Sequence, residues 1–185
     1  MNIKLDLLYI EGEDGRGDLQ ADWHNYFAKN IADRYELILD IGSGLGKIKE
    51  RIPKIITSDN YPDCTDNVDR YCTLENFWYY TYHCVTMFDV IEHLKNDIES
   101  MERACKIATQ AVFLTTPNFN VSYCENPYHY REYTPLQFVQ LCYMFSDDVT
   151  FYTRDRSNVI KKWDNHVPFL SHNEPDQGAL IHLCV

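Results

Sequence analysis

The chain has 185 residues, 45% hydrophobic and 24% charged, which fits one globular domain and includes no apolar run long enough to span a membrane. Its net charge of −11 does not favour a large nucleic-acid interface, because phosphate binding requires clustered lysine and arginine, but one RNA end remains compatible with it. The seven cysteines include no CxxC pair, which argues against a disulfide framework or a zinc ribbon and indicates a reducing, cytoplasmic setting.

The first predicted elements lead from a loop and a helix into a sheet. The polar, glycine-containing segment 9–18 is predicted to be a loop, and 22–32 a helix with its apolar side chains near one face. The apolar run 36–41 is typical of a buried strand. A short helix over 47–52 and a second strand over 54–58 follow it. The N-terminal sequence does not resemble a secretory signal.

The rest of the chain continues to alternate between strands and helices. We predict strands at 82–88, 111–115, 149–153 and 179–185, and helices at 89–108 and 134–145. Thr134 and Pro135 are typical of the N-cap and the first residue of a helix. This alternation predicts an α/β fold: a Rossmann-like, mostly parallel sheet with helices on both faces, in a single domain. Within residues 1–185 we expect an N-terminal loop and helix over 1–35 and the Rossmann-like core over 36–185.

A glycine-rich loop, DIGSGLG, follows the first predicted strand and begins at Asp40. Glycines at this position allow a tight turn and the close approach of a ligand to the backbone. Asp59, nineteen residues after Asp40, ends the second predicted strand and can accept hydrogen bonds from both hydroxyls of a ribose. The GxGxG spacing differs from the GxGxxG of dinucleotide sites, and a carboxylate at its head would repel a pyrophosphate. It suits the cationic methionine end of S-adenosylmethionine (SAM).

These motifs resemble those of the class I SAM-dependent methyltransferases over about residues 36–142. LILDIGSGLG resembles their first motif, ITSDN their acid-tipped second strand, and VTMFDVIEHL and VFLTTPN their fourth and fifth strands. HYREYTPLQF is similar to a segment that many members carry before a late helix. The resemblance implies SAM as the cofactor. It also implies these cofactor-binding residues: Asp40, Gly42, Ser43, Gly44, Gly46, Asp59, Asn60 and Asp89.

Two carboxylates and two histidines stand out further along the chain. Asp89, Glu92 and His93 are spaced to share one face of a helical turn, and His129 follows in HYREYT. Such side chains could hold a divalent metal. With TTPN between them, the pattern is similar to the small-RNA 3′-terminal 2′-O-methyltransferases, although the first carboxylate is Asp where that family has Glu. This second resemblance implies that all four residues are metal ligands.

The same motifs also resemble metabolite and sugar methyltransferases that bind no metal. We therefore predict methyl transfer to an oxygen or nitrogen of a small-molecule or sugar-like acceptor, with His129 or His93 as the catalytic base. The acidic charge does not favour the metal-dependent reaction or a nucleic-acid partner other than an RNA end, and without a long apolar run we expect no membrane partner. Two alternatives stay open: a metal-dependent RNA 3′-terminal 2′-O-methyltransferase, and an inactive module that only binds the cofactor.

Overall fold

The structure is a computed structural model that describes residues 16–60, 68–77, 81–163 and 173–183. The strands are β1 Ile38–Ile41, β2 Ile56–Asp59, β3 Arg70–Tyr71, β4 Tyr82–Phe88, β5 Ala108–Pro117, β6 Val149–Arg154, β7 Ile160–Lys162 and β8 Asp176–His182. The α-helices are α1 Arg16–Asn30, α2 Asp97–Ile107, α3 Phe119–Ser122 and α4 Pro135–Tyr143. Shorter helical turns span Ala32–Arg34, Lys47–Glu50, Leu74–Phe77 and Ile91–His93.

The described strands form one sheet in the order β3-β2-β1-β4-β5-β8-β6-β7. β1 to β5 run parallel, whereas β8 is antiparallel to both of its neighbours, and β7 is antiparallel to β6. β2 pairs with one edge of β1, and β4, which comes later in the chain, pairs with the other edge. The strand order therefore reverses between β1 and β4, and in open α/β sheets ligands bind at the carboxyl ends of the strands beside such a reversal.

Two apolar layers cover the two faces of this sheet. On one face α1 contributes Trp23, Phe27 and Ile31, which pack over β4, β5 and β8. On the other face α2 and α4 bury Met101 and Phe138 against the same strands. A fully buried aromatic or aliphatic side chain contributes about 1.5–3 kcal/mol relative to an exposed one, so both layers stabilise the sheet substantially. Helices on both faces of a mostly parallel sheet confirm the predicted fold class.

Several predicted elements match the structure closely. The strand predicted over 82–88 is β4, residue for residue. α4 has Thr134 as its N-cap, and a reciprocal capping box links Thr134 to Gln137, as its sequence indicated. The loop prediction over 9–18 is wrong from Arg16 onward, where α1 begins, and residues 9–15 lie outside the described part. The last predicted strand, 179–185, starts three residues earlier as β8, and residues 184–185 lie outside the described part.

The predicted helix over 89–108 is wrong in its first half. Asp89 has a left-handed backbone with φ of +51°, one turn spans Ile91–His93, and α2 begins only at Asp97. Tertiary contacts explain the break, because the Glu92 carbonyl, which a continuous helix would pair with the backbone N–H four residues later, accepts from the Tyr130 backbone N–H at 2.8 Å. Asp89, Glu92 and His93 therefore do not share one helical face.

Several of the cysteines in the described part of the chain lie in or beside the core. Cys84 and Cys142 are buried, and Cys72 and Cys105 are half-buried. All cysteines within the described residues are free thiols. In the same part of the chain, no helix is both long and apolar enough to cross a membrane.

Candidate functional site

The glycine loop begins where β1 ends, beside the reversal in strand order. Gly42, Gly44 and Gly46 have φ of +69°, +53° and +66°, a left-handed region that side chains other than glycine adopt at a cost. At Gly42 the space is also closed, because an added Cβ would lie 2.6 Å from a methyl carbon of Val90. The conformation of the loop therefore depends on its glycines.

Hydrogen bonds made by Ser43 connect the middle of this loop to β1 and β2. Its hydroxyl donates to the Asp40 carbonyl at 2.8 Å and accepts from the Ser58 backbone N–H at 3.0 Å. The Ser43 backbone N–H donates to the Ser58 carbonyl at 3.0 Å. Ser43, one of the predicted cofactor residues, thus holds the loop in place through its own side chain.

Asp59 lies directly against the loop, as the sequence predicted from its place at the end of β2. The Gly44 backbone N–H donates to Asp59 Oδ2 at 2.8 Å. Asp59 is half-buried and the next residue, Asn60, is exposed. The structure therefore brings a carboxylate and a glycine amide together at the carboxyl edge of the sheet.

Asp40 lies beneath the loop rather than on its surface. Its side chain is 2% exposed, and the Thr86 hydroxyl donates to Asp40 Oδ1 at 2.6 Å. Burial raises the pKa of Asp40 to about 7, although the hydrogen bonds from Thr86 and Ser43 oppose that rise. This carboxyl therefore supports the loop from below, and its predicted contact with the cofactor stays a prediction.

Asp89 occupies the end of β4, on the side of the sheet covered by α1. The Thr115 hydroxyl donates to Asp89 Oδ1 at 2.7 Å. Burial raises the pKa of Asp89, and the positive charge of Arg154 opposes that rise. The contact with Thr115 explains how an aspartate keeps the left-handed backbone that it adopts here.

A second group of polar side chains lies on the opposite side of β5. Glu92, His93 and His129 each offer a possible ligand atom, and these three atoms lie within 4.8 Å of one another. Asp89, the fourth predicted member, is not part of this triangle. Glu92 is fully buried, its Oε2 accepts from the Thr116 hydroxyl at 3.1 Å, and its Oε1 has no hydrogen-bond partner among the described residues. Burial raises the pKa of Glu92 well above its usual range.

Hydrogen bonds fix the state of the two histidine rings, which lie edge to face with their centres 4.6 Å apart. His93 Nδ1 lies 3.1 Å from the Tyr128 carbonyl, which can only accept, so this nitrogen carries the proton. Burial lowers the pKa of His93 to about 4, which leaves the ring neutral at pH 7. His129 Nδ1 lies 2.5 Å from Glu132 Oε1, and the Asn126 amide nitrogen lies 3.0 Å from His129 Nε2.

Sequence reasoning did not assign several residues that shape this site. Thr86, Thr115 and Thr116 donate to the carboxyls of the two aspartates and the glutamate described above, and Glu132 and Asn126 contact His129. Thr115 and Thr116 had a usable signal, since they are polar residues at the carboxyl end of an apolar strand. Asn126 lies in a segment that is typical of a plain turn and gave no such signal.

No protein-family profile and no curated protein matches the chain. Solved structures do match it. A SAM-dependent methyltransferase from Thermotoga maritima aligns over 88% of this chain and 87% of its own, with a TM-score of 0.67 and 9% identity. The plantazolicin methyltransferase BpumL, in complex with SAH, aligns over 90% and 84%, with a TM-score of 0.60 and 14% identity. The methyltransferase domain of bacterial CtHen1 aligns over 89% and 100%, with a TM-score of 0.59 and 18% identity.

This chain has the fold of the SAM-dependent methyltransferases. The three matches cover 88–90% of the chain. They confirm the fold that the sequence motifs implied.

Proposed function

We propose that this chain is a SAM-dependent methyltransferase. The observation that carries the proposal is the contact between the Gly44 amide and the Asp59 carboxylate at the reversal in strand order. A left-handed glycine loop facing an acid at the end of the next strand is the arrangement that binds a ribose in Rossmann-like sheets. The fold and the SAH complex of BpumL support the same cofactor.

The residues around the loop fit a SAM molecule. SAM, when bound, supplies an electrophilic methyl group on a sulfonium. Gly44 and Gly46 leave their backbone open to close approach, and Asp59 can accept hydrogen bonds from ribose hydroxyls. Asn60 is exposed beside Asp59. Asp89 directly follows β4, which pairs with the edge of β1 opposite to β2. All the cofactor-binding residues that the sequence resemblance implied are part of this proposal.

For the acceptor, the leading proposal is an oxygen or nitrogen nucleophile on a small or sugar-like molecule, bound beside His129 and His93. His129 has a carboxylate partner at Nδ1, which is the pairing that orients a histidine for proton removal at its other nitrogen. Holding the acceptor in line with the methyl group would supply much of the rate. The net charge of −11 favours an acceptor without phosphates.

A second candidate is a metal-dependent reaction on a hydroxyl, such as the 2′ hydroxyl of an RNA 3′ end. The triangle of Glu92, His93 and His129 favours it, since two imidazoles and a carboxylate suit several divalent metals and Glu92 Oε1 lacks a hydrogen-bond partner among the described residues. One observation weighs against it, because Asp89 lies outside the triangle. The Asn126 amide nitrogen contacts His129 Nε2, the nitrogen that either a metal or an acceptor would need, so this contact does not separate the two candidates.

Calorimetry with SAM and with SAH tests the cofactor. Binding of both, followed by methyl transfer to any acceptor, supports the methyltransferase. Binding without turnover over a broad panel of acceptors would instead support the inactive module. No binding of either compound would contradict the proposal as a whole.

Chelator treatment separates the two acceptor proposals. In the metal-free reaction, EDTA leaves the rate unchanged and Mn²⁺ gives no binding heat. In the metal-dependent reaction, EDTA abolishes activity, Mn²⁺ restores it, and Glu92→Gln loses the metal but still binds SAM. Glu99→Gln is the matched control, because Glu99 is an exposed glutamate on α2 that pairs only with Arg103 among the described contacts. Methyl glycosides and a short RNA with free 2′ and 3′ hydroxyls serve as acceptors.

A further inference from the structure

Glu132 lies at the centre of the segment that carries His129. The residue is 6% exposed, and each of its carboxylate oxygens accepts hydrogen bonds. Oε1 lies 2.5 Å from His129 Nδ1. Oε2 accepts from the Cys124 backbone N–H at 2.9 Å and from the Ser122 hydroxyl. A buried carboxylate with all of these donors is fixed in position by its surroundings.

The contact at Oε1 decides which nitrogen of His129 carries the proton. An ionised carboxylate can only accept, so His129 Nδ1 must donate to it. The lone pair of a neutral His129 ring then lies on Nε2, on the opposite side of the imidazole. Nε2 faces the Asn126 amide, and the His93 ring lies beside it. His129 is thereby presented with its basic nitrogen away from Glu132.

The contacts at Oε2 hold a strained stretch of backbone. Tyr123 and Cys124 both have a left-handed backbone, with φ of +53° and +56°, although neither is a glycine. Such conformations cost about 1–2 kcal/mol for each residue and persist only where neighbouring contacts impose them. Glu132 supplies one of these contacts through the Cys124 backbone N–H. One carboxylate therefore sets both the local backbone and the orientation of His129.

We propose that Glu132 is a positioning residue, which holds His129 in its Nδ1–H tautomer so that the basic lone pair lies on Nε2, where the acceptor would replace the Asn126 amide. The chemical consequence rests on the proposed methyltransferase function, whereas the tautomer does not. The contrasting interpretation is that Glu132 only stabilises the backbone from Ser122 to Cys124 through its Oε2 contacts. In that case the tautomer of His129 would not depend on it.

Nitrogen-15 NMR of the histidine side chains at one alkaline pH tests the tautomer directly. A His129→Gln variant identifies the His129 signals. We expect an Nδ1–H tautomer for His129 in the unmodified chain and a mixed or reversed tautomer in Glu132→Gln, whose amide cannot reproduce all the acceptor contacts. An Nε2–H tautomer in the unmodified chain would overturn the proposal without any variant having to fold.

Kinetics give the second test, with Ser122→Ala as the matched control because it removes a contact to Oε2 and leaves the His129 contact. We expect Glu132→Gln to lower kcat by about 100-fold or more, while KM for the acceptor and the affinity for SAM change by less than about threefold. Ser122→Ala should retain kcat within about threefold. Equal losses of kcat in both variants would show that Glu132 only stabilises the backbone from Ser122 to Cys124. A chain without methyl transfer, but with the expected tautomer change in Glu132→Gln, would contradict the proposed function alone.

Discussion

The Gly44 backbone N–H donates a hydrogen bond to the Asp59 carboxylate. The 2.8 Å contact joins the end of β2 to the middle of the glycine loop. A ligand that hydrogen-bonds to Asp59 therefore meets a carboxylate already fixed in position, and little side-chain entropy is lost on binding. The same contact means that removing Asp59 changes the loop as well as the ligand site.

Asp59→Ala should weaken SAM binding at least about tenfold, since hydrogen bonds to a charged group contribute about 1.5–3 kcal/mol each. Asp59→Asn is the matched control, because its amide oxygen can still accept from the Gly44 N–H while the negative charge is lost. We expect an intermediate affinity for that variant. Calorimetry measures both values, and an unchanged affinity in Asp59→Ala would refute the ribose assignment.

The pKa of Asp40 connects this residue to the stability of the fold. Burial raises the pKa of Asp40 to about 7, so the folded state retains this proton where an unfolded aspartate has lost it. The resulting stabilisation is fully present below the ordinary aspartate range and is lost as the pH rises through about 7. Ionised Asp40 therefore lowers the free energy of unfolding at alkaline pH.

Asp40→Asn should remove this dependence while keeping an acceptor for the Thr86 hydroxyl. Relative to the unmodified chain, the variant should gain stability between pH 5 and pH 8, by an amount on the order of 1–3 kcal/mol. Urea unfolding of both proteins at the two pH values measures the difference. A difference that stays constant with pH would show that Asp40 does not titrate in this range.

At the scale of elements, the conformation of the glycine loop depends more on residue type than that of any helix or strand described above. Gly44→Val should be folded or weakly destabilised and should bind no SAM, because a β-branched residue is strained at a φ of +53°. Gly44→Ala should show a smaller loss. Thermal unfolding and calorimetry measure the two effects. Normal SAM binding by Gly44→Val would mean that the loop does not contact the cofactor.

The longer strands and α4 could be predicted from the sequence because their signals are local, whereas the short strands β3 and β7 were not predicted. β4 is a mostly apolar run of seven residues, and α4 has a cap, a proline and an apolar stripe in the expected places. The segment after β4 was misjudged for the opposite reason. Its apolar residues have helical spacing, and it contains neither glycine nor proline. The helix does not run through this segment because the Glu92 carbonyl accepts from the Tyr130 backbone N–H, thirty-eight residues away, and a local pattern cannot contain that contact.

The same distinction applies to the candidate site. The glycine loop and Asp59 could be predicted because two short motifs at the ends of neighbouring parallel strands must meet. The proximity of Glu92 and His93 to His129 was foreseen only through a resemblance. Their partners were not, because the contacts at Glu132 and Asn126 depend on how a loop without regular structure folds back on itself.

At the scale of the whole molecule, Arg154 links α1 to the carboxyl edge of the sheet. Its side chain is 1% exposed; its Nε donates to Asp176 Oδ2 at 2.6 Å, and Nη1 lies 3.8 Å from Asp22 Oδ2 on α1. Burial lowers the pKa of Arg154, whereas the carboxylates of Asp89 and Asp22 oppose that change. A buried cation between carboxylates of three elements holds those elements at fixed separations.

Arg154→Met should destabilise the fold by about 3–5 kcal/mol, because it leaves the carboxylate of Asp176 buried without its cation. The double variant Arg154→Met/Asp176→Asn should recover part of this loss. Lys106→Met is the control, since Lys106 is 60% exposed in its pair with Glu102 and such pairs contribute about 0–1 kcal/mol. Urea unfolding measures all three. A loss in Arg154→Met no larger than in the control would show that the buried pair does not hold α1 in place.

The position of β8 has a consequence for how the chain folds. β8 lies between β5 and β6, yet it follows both in the sequence, and its pairing of His182 with Ala111 spans seventy-one residues. Among the described strands, the hairpin of β6 and β7 is joined to the parallel strands only through β8. Long-range pairing of this kind is slow, and during the delay both β5 and β6 present open edges to which other chains can add. Docking of Asp176–His182 is therefore the step at which refolding and aggregation compete most directly.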